Sequence, residues 1–351
     1  MCKNIKTIVM FPCDHSNFNA YINNLCAILR DDYNILGAQN WKKYGILKLL
    51  SADIYCFNWY ENVGSSSYVK TFLNLYKRKL FIYILKLFNK KIVWTIHNNY
   101  SHSSSFLEMV YEMSVYMAKM SDRIHVLCQD TCNMQYLNGY YNKIYHIYHG
   151  DYFDNYPKSN VDIYCRYNID RNKKIILFLG LIRKYKNIDI LIEAFNKSML
   201  NKDFILLICG TCKDELKKEL CRQNYENIVF DFSFIRDDEI SAYLDACDLL
   251  VAPYDKINSL NSGTLWMAMS YKKTMVLPLI GCLKDFDYDK YLYVYDYISK
   301  SEHIQNLINC FDKVYKEREL LVEKGLMCYN YMYNVASWEK NKDKWISLFS
   351  F

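Results

Sequence analysis

The residues best suited to bind an anion lie where a polar loop runs into a predicted helix, at Ser262-Gly263-Thr264. The free N–H groups at a helix start favour negative charge, and Gly263 removes side-chain bulk from their path. The hydroxyls of Ser262 and Thr264 can add donors. The segment therefore predicts a phosphate site, with an ordinary serine N-cap as the alternative.

A second loop suited to anions runs from Leu179 to Lys186, after a predicted strand and before a predicted helix. Its Arg183 and Lys186 can neutralise a diphosphate. Ligands of open α/β sheets bind at the carboxyl ends of the strands, so both loops are expected at one edge of the same sheet. The alternative is a solvated basic loop.

The elements that must position these loops form two successive series of strands and helices. In the first half the pattern predicts strands at 7–11, 53–57, 91–96 and 123–127, with helices near 21–29 and 68–88. In the second half it predicts strands at 174–179, 204–209, 228–232, 249–252 and 274–277, with helices near 188–195, 213–223, 237–246 and from 262. Such alternation is typical of parallel α/β sheets. Residues 151–173 lack periodicity and are interpreted as a linker between two domains with a cleft between them.

Five stretches in order carry a resemblance to a known class of enzyme. They are FPCDHSNFNAYINNL (11–25), KIVWTIHNNYSH (91–102), IYHGDYFDNY (147–156), LGLIRKYKNIDILIEAF (179–195) and PYDKINSLNSGTLWMAMSYKKTMVLP (253–278). With them, the chain resembles the GT-B-fold glycosyltransferases of family 4 and the related bacterial polysaccharide glycosyltransferases. Near the end, Ser337-Trp338-Glu339-Lys340 resembles the closing helix of these enzymes.

The resemblance implies an α/β protein with the GT-B fold, in which two Rossmann-like domains face each other. It implies an acceptor domain at 1–155, a nucleotide-sugar donor domain at 174–332 and a C-terminal helix at 333–351 that crosses back to the first domain.

The resemblance also assigns site residues. Gly180, Arg183 and Lys186 would contact the donor diphosphate, and Ser262, Gly263 and Thr264 would cap it. Phe234-Ile235 would lie near the base, and Asn19, Tyr21 and His97 would face the cleft from the acceptor domain.

One departure from the family concerns its paired glutamates, which fall at Ser259 and Met267 in this chain. Without them the retaining stereochemistry of the family is in doubt, and an inverting enzyme would need a general base in the first domain. The candidates are Asp14, Glu61 and His97, and His97 can equally hydrogen-bond a sugar hydroxyl. The positive loop and the helix start can stabilise a leaving nucleoside diphosphate, so we expect no metal ion and no cofactor besides the donor substrate.

Positive charge is concentrated in the first half of the chain. Residues 1–150 hold 16 Lys and Arg against 9 Asp and Glu, whereas the remainder is close to neutral. Between 69 and 91 no acidic residue occurs, and the basic residues are Lys70, Lys77, Arg78, Lys79, Lys86, Lys90 and Lys91. A helix with cationic and aromatic residues suits an anionic membrane surface, with a solvated helix face as the alternative. The modest excess and dispersed aromatic residues do not indicate nucleic-acid binding.

These observations predict a glycosyltransferase, specifically a metal-independent hexosyltransferase. It would move a sugar from a nucleoside-diphosphate sugar to a saccharide acceptor, expected to be lipid-linked, in bacterial surface polysaccharide synthesis. The alternatives are an inactive sugar-nucleotide-binding protein and, ranked lower, a sugar-nucleotide epimerase. No window has the length of an apolar membrane span and the start lacks a signal-peptide pattern, so we expect a cytoplasmic protein, peripheral at the inner membrane face. In that compartment Cys209-Gly210-Thr211-Cys212 is interpreted as structural.

Overall fold

The computed structural model of the chain describes residues 5–13, 19–98, 106–222, 225–257 and 259–351. The chain divides into two compact units. The first unit comprises Met1–Gly150, Ile257–Asn261 and Ala336–Phe351, and the second comprises Asp151–Lys256 and Ser262–Val335.

The first unit is built on a parallel sheet whose six strands lie in the order β2-β1-β3-β4-β5-β6. The strands are β1 Thr7–Phe11, β2 Asn34–Gly37, β3 Ile54–Asn58, β4 Lys91–Ile96, β5 Arg123–Val126 and β6 Ile144–His146. The helices are α1 Ala20–Leu29, α2 Trp41–Tyr44, α3 Ile46–Leu50, α4 Tyr68–Leu87 and α5 Leu107–Met120. Every residue of β3 is buried, as expected of a strand covered on both faces.

The second unit repeats this plan with a parallel sheet in the order β12-β11-β10-β7-β8-β9. Its strands are β7 Lys174–Leu179, β8 Phe204–Cys209, β9 Ile228–Asp231, β10 Leu249–Val251, β11 Met275–Pro278 and β12 Tyr293–Tyr295. Its helices are α6 Ile163–Arg166, α7 Ile188–Lys197, α8 Asp214–Leu220, α9 Asp237–Ala246, α10 Gly263–Ser270, α11 Lys300–Lys316 and α12 Leu321–Tyr331. The periodic apolar residues predicted on α7 are buried in the core of this unit.

The last helix, α13 Lys342–Phe349, belongs to the first unit. Trp338 and Trp345 join the core that β1 and α1 also line. Gly150 makes that packing feasible, because a Cβ at this position would lie 2.2 Å from the Trp338 ring. Its φ of +88° is also one that glycine adopts without strain.

The segment 151–173, predicted to be a linker, lies against the second unit and contains α6. Side-chain hydroxyls hold its backbone there. The N–H of Tyr152 donates to Ser270 Oγ at 3.0 Å, and the N–H of Ser159 donates to Ser241 Oγ at 2.9 Å. Among the described residues, no helix is long and apolar enough to span a membrane.

Candidate functional site

The anion-binding loops predicted from the sequence follow two strands at the centre of the second sheet. The order β9-β8-β7-β10-β11-β12 is the standard Rossmann order, and its direction reverses between β7 and β10. Open α/β sheets bind ligands at the carboxyl ends of the strands at this reversal. Gly180 follows β7, and Ser262 ends the loop that follows β10.

The two loops are joined by direct contacts. Asn187 Nδ2 donates to the carbonyl oxygen of Pro253 at 2.8 Å. Lys186 Nζ lies 4.3 Å from the ring centroid of Tyr254, a cation–π distance. The hydroxyls of Tyr254 and Ser262 are hydrogen-bonded at 2.7 Å. The structure therefore brings Lys186 and Ser262 together around Tyr254.

The start of α10 has the geometry of a capped helix. Ser262 is the N-cap, and its Oγ accepts from the N–H of Leu265 at 3.2 Å. Gly263 and Thr264 are the first two helical residues, and no acidic side chain lies in the first turn. The serine cap considered as an alternative is thus formed, and the helix start still presents N–H groups without competing negative charge.

A close approach of two glycines shapes the loop after β7. The N–H of Gly180 donates to the carbonyl oxygen of Cys209 at 3.0 Å. A Cβ at Gly210 would lie 1.9 Å from the carbonyl oxygen of Gly180, and the φ of Gly210 is +141°. Cys209 is itself buried in β8. The sequence Cys209-Gly210-Thr211-Cys212 therefore brings two loops into contact.

Arg183 belongs to the same loop and directly precedes the turn Lys184–Lys186. It is half-buried beside Cys212, where burial raises the pKa of the thiol and the guanidinium opposes that shift. It lines a cavity of about 730 Å³ that extends along α7 to Lys300 and His303. Among the described contacts, none joins Arg183 to Tyr254, so the structure brings only Lys186 of the two predicted cations to that tyrosine.

In the first unit the strand order reverses between β1 and β3. His97 follows β4, which neighbours β3, and its Nε2 lies 3.0 Å from Asn58 Oδ1. Asn58 Nδ2 donates to the carbonyl oxygen of Phe11 at 3.1 Å, so the amide oxygen faces the imidazole. We therefore assign the proton to Nε2 of His97, which leaves the lone pair on Nδ1.

Aromatic rings enclose this histidine. Trp59 stacks on His97 with centroids 3.9 Å apart, and Tyr21 meets it edge-on at 5.0 Å. Burial holds the pKa of His97 well below its usual range, and His149 and His125 lower it further. The imidazole is therefore neutral near pH 7.

The other predicted residues of the first unit differ in their surroundings. Asn19 is the N-cap of α1, where its Oδ1 accepts from the N–H of Ile22 at 3.3 Å. Glu61 is buried, its pKa is raised by burial, and its Oε2 accepts from the Trp94 indole at 3.1 Å.

Asp14 lies outside the described residues. Tyr21 is the one acceptor-side candidate that contacts His97 in the described structure.

The two positions at which the family has glutamates both carry buried side chains, Ser259 and Met267. In the described residues, no group of three or more His, Cys, Asp or Glu side chains is arranged to hold a metal ion. The described chemistry of the second unit is thus a cation, a helix start and hydroxyls, the groups that bind phosphate.

Comparisons with known proteins agree with this fold. Residues 165–258 match the family model described as "Glycosyl transferases group 1". The structure of Anabaena HepE in complex with UDP superposes with a TM-score of 0.69 at 14% identity, over 98% of this chain and 99% of that one. The sucrose-phosphate synthase of Thermosynechococcus elongatus gives 0.68 at 10% identity, over 98% of each chain. WaaG, a glycosyltransferase involved in lipopolysaccharide biosynthesis, gives 0.60 at 12% identity, over 97% of this chain and 99% of that one.

The two Rossmann-like sheets and these superpositions confirm the predicted GT-B fold. With the family match across the loop after β7, they confirm the predicted class of protein, a glycosyltransferase. No curated protein sequence matches the chain significantly.

Tyr254, Asn58 and Trp59 were missed from the sequence. Asn58 ends β3 and Trp59 follows it, and Tyr254 follows the proline after β10. Their position at the end of a buried strand was a usable signal, but the chain contains 34 tyrosines, so the residue type alone singled out none of them.

Proposed function

We propose that this glycosyltransferase transfers a hexosyl group from a nucleoside-diphosphate sugar to a saccharide acceptor without a metal ion. The observation that carries the proposal is the meeting of Lys186 and Ser262 around Tyr254, at the point where the order of the second sheet reverses. HepE has been crystallised with UDP and with UDP-glucose, which supports a uridine nucleotide as the first donor to test.

The chemistry that these groups can supply is stabilisation of the leaving group. Breaking the glycosidic bond to the diphosphate leaves negative charge on its terminal oxygens. We expect Lys186 and the N–H groups of Gly263 and Thr264 to stabilise that charge. Gly180 and Arg183 would contact the diphosphate from the preceding loop.

A thermal-shift screen of UDP- and GDP-sugars tests this proposal. A ligand at 100 times its dissociation constant should stabilise the folded chain by about 2.7 kcal/mol. Changing Lys186 to Ala removes a hydrogen bond to a charged group, so we expect nucleoside-diphosphate affinity to fall roughly ten- to a hundredfold. The change Lys184→Ala is the matched control, because Lys184 belongs to the same turn but is exposed.

Equal affinity in wild type and Lys186→Ala would contradict the diphosphate assignment. Binding without transfer to any acceptor would favour the inactive binding protein, and interconversion of the free nucleotide sugar would favour an epimerase. Anomeric analysis of the transferred sugar would separately decide between retention and inversion.

We further propose that the acceptor is presented at an anionic membrane, and that α4 is the attachment surface. The helix has twenty residues and is therefore about 30 Å long. Exposed apolar side chains recur along one of its faces at helical spacing: Val69, Phe72, Leu73, Tyr76, Leu80, Tyr83 and Leu87. Leu73, Leu80 and Leu87 are 60%, 58% and 64% exposed, so this α4 stripe is not core. Such a face suits the boundary between headgroups and acyl chains.

Fewer basic residues of α4 are available to an anionic membrane than the sequence indicated. The Arg78 guanidinium donates to the carbonyl oxygen of Tyr60 and lies over the aromatic ring of the same residue. Burial lowers the pKa of Arg78. Lys79 pairs with Glu112, and Lys86 pairs with Asp122. These three basic residues are therefore held within the fold.

Lys70 and Lys77 remain exposed beside the α4 stripe, and neither forms an ion pair with any described residue. Each lysine near an anionic surface contributes about 1 kcal/mol. The membrane proposal therefore rests on the α4 stripe together with these two lysines. The proposed location is the cytoplasmic face of the inner membrane, and WaaG, with its role in lipopolysaccharide biosynthesis, supports a lipid-linked saccharide acceptor.

Sedimentation with anionic and neutral lipid vesicles tests the membrane surface. We expect binding to anionic vesicles that weakens in high salt, is reduced by Lys70→Glu with Lys77→Glu, and is abolished by Leu73→Ser with Leu80→Ser. Ile298→Ser is the control, because Ile298 is 91% exposed and lies in the second unit.

Equal, negligible binding of the wild type to both vesicle types would overturn the membrane proposal. So would a wild-type dimer that Leu73→Ser with Leu80→Ser converts to monomers in light scattering while vesicle binding is unchanged. That outcome would assign the α4 stripe to a second copy of the chain.

A further inference from the structure

We propose that Tyr254 is a positioning residue for the donor diphosphate, because it orients the Ser262 hydroxyl and holds Lys186 at the start of α10. The inference rests on the proposed function and deepens it. It concerns the loop in which the family's first glutamate is replaced by Ser259.

The hydrogen-bonding capacity of Ser262 sets the argument. A serine hydroxyl has one proton to donate and two lone pairs to accept with. One lone pair accepts the N–H of Leu265 at 3.2 Å. When the Tyr254 hydroxyl at 2.7 Å donates to the second lone pair, the Ser262 proton is left for a ligand oxygen. A phosphate oxygen accepts but cannot donate when ionised, so its arrival selects this arrangement.

The ring of Tyr254 acts on Lys186 as well. The ammonium group lies 4.3 Å from the ring centroid, on a side chain that is half-buried. A lysine carries about 2 kcal/mol of rotamer entropy, so a ring that confines its ammonium group lowers the ordering cost of binding. One tyrosine thereby touches both of the phosphate-binding groups, the lysine through its face and the serine through its hydroxyl.

Tyr254 is itself fixed on several sides. It is 6% exposed, and its carbonyl oxygen accepts from the Tyr297 hydroxyl at 2.9 Å. Tyr297 stacks on His303 with centroids 3.9 Å apart. The preceding residue, Pro253, is tied to Asn187 at 2.8 Å. A ring held in this way can set the positions of the Lys186 ammonium group and the Ser262 hydroxyl.

The test compares a nucleoside diphosphate with its nucleoside by isothermal titration, using UDP against uridine and GDP against guanosine. Tyr254→Phe keeps the ring over Lys186 and removes the hydroxyl. We expect it to weaken diphosphate binding about two- to tenfold, the range for one hydrogen bond between neutral groups, and to leave nucleoside affinity unchanged. Tyr254→Leu also removes the ring and should weaken the diphosphate a further two- to fivefold, roughly the effect of one cation–π contact.

A double-mutant cycle with Ser262→Ala shows whether Tyr254 acts through the serine. If it does, Tyr254→Phe should have little further effect on diphosphate affinity once Ser262 is alanine. Because Ser262→Ala also removes an N-cap, Ser262→Thr is measured as the variant that retains the hydroxyl. Tyr288→Phe, a half-buried tyrosine elsewhere in the second unit, is the matched control.

The outcomes separate the inference from the proposed function. If the wild type binds neither UDP nor GDP, the proposed function fails. If the wild type binds a diphosphate and Tyr254→Phe binds it equally well, the inference fails alone. Equal weakening of nucleoside and diphosphate, or additive effects in the cycle, would also overturn it, because both indicate general disturbance of the fold.

Discussion

Single residues of the first unit show how the surroundings of a side chain restrict its chemistry. His97 was predicted as a general base or as a hydrogen-bonding group, and its partner is the neutral amide of Asn58 at 3.0 Å. A carboxylate in that position would stabilise an imidazolium more strongly than the neutral amide does, and burial favours the neutral imidazole. We therefore propose that His97 binds a hydroxyl of the acceptor as a neutral hydrogen-bonding group.

Replacing His97 by Gln tests this proposal. Glutamine keeps one donor and one acceptor, so we expect the acceptor KM to rise about tenfold while kcat falls less than about tenfold, as for one lost hydrogen bond. Loss of a general base would instead lower kcat by about two to four powers of ten. Since the pKa of His97 is well below its usual range, the wild-type rate should also show no inflection from this group between about pH 6 and 8. A large decrease in kcat with unchanged KM would instead indicate that His97 is a general base.

At the same scale, the sequence predicts Arg183, Lys186 and Ser262 as diphosphate-binding residues, and the structure brings Lys186 and Ser262 to one tyrosine. The end of a strand and the start of a helix can be predicted from the sequence pattern, and this prediction gives the position of the backbone. The contacts of a loop also depend on the neighbouring loop, as in the approach of Gly210 to Gly180. That contact joins residues about thirty positions apart, and no local pattern encodes it.

Among the elements, the central strands were predicted with bounds that agree closely with the structure. β4, β7 and β8 begin and end at the predicted residues, because a strand buried on both faces is a continuous apolar run. β2, β6 and β12 were not predicted. They are short, and each contains at least one side chain that is not fully buried. All three lie at the edges of their sheets, where the sequence is less constrained.

The helix α4 illustrates the opposite error, in which the element was predicted and its faces were not. The run of basic residues indicated a cationic face, yet Arg78 lies over Tyr60 and the exposed face is apolar. Helical spacing alone gives the angular position of each residue but not the side on which the sheet lies. Only the packing of Leu75, Ile82 and Leu85 into the unit fixes that direction.

At the scale of the whole molecule, the chain shares its fold with proteins to which it has little sequence identity. HepE superposes over 98% of the chain at 14% identity, so the two proteins share a fold although most of their side chains differ. The strand order reverses once in each sheet of this chain, and the candidate residues of each unit lie beside the reversal in that unit. The fold thus determines where a ligand can bind, and the few residues at the reversal determine which chemistry follows.

The stability of the chain should fall in mild acid, because the first unit buries neutral histidines. His125 Nε2 donates to the carbonyl oxygen of Ile147 at 3.0 Å, and burial lowers the pKa of His125 to about 3. Burial likewise lowers the pKa of His149 to about 4. Above about pH 6.5 both are neutral whether the chain is folded or unfolded, so they cause no pH dependence there. Below that pH the unfolded chain binds protons that the folded chain does not, and the free energy of unfolding falls.

Each of these histidines should lower the free energy of unfolding by about 1 kcal/mol per pH unit between about pH 6 and 4, and the contribution of His149 levels off near its pKa of about 4. Urea denaturation at several values between about pH 7.5 and 4 measures that slope. The change His125→Gln keeps a donor for the Ile147 carbonyl and cannot be protonated, so the variant should be less stable at neutral pH and have a shallower slope in acid. Carboxylates titrate equally in the wild type and in His125→Gln, so their contribution cancels in the difference between the two unfolding free energies. Parallel curves would show that His125 does not drive the acid sensitivity, whatever the cost of the substitution at neutral pH.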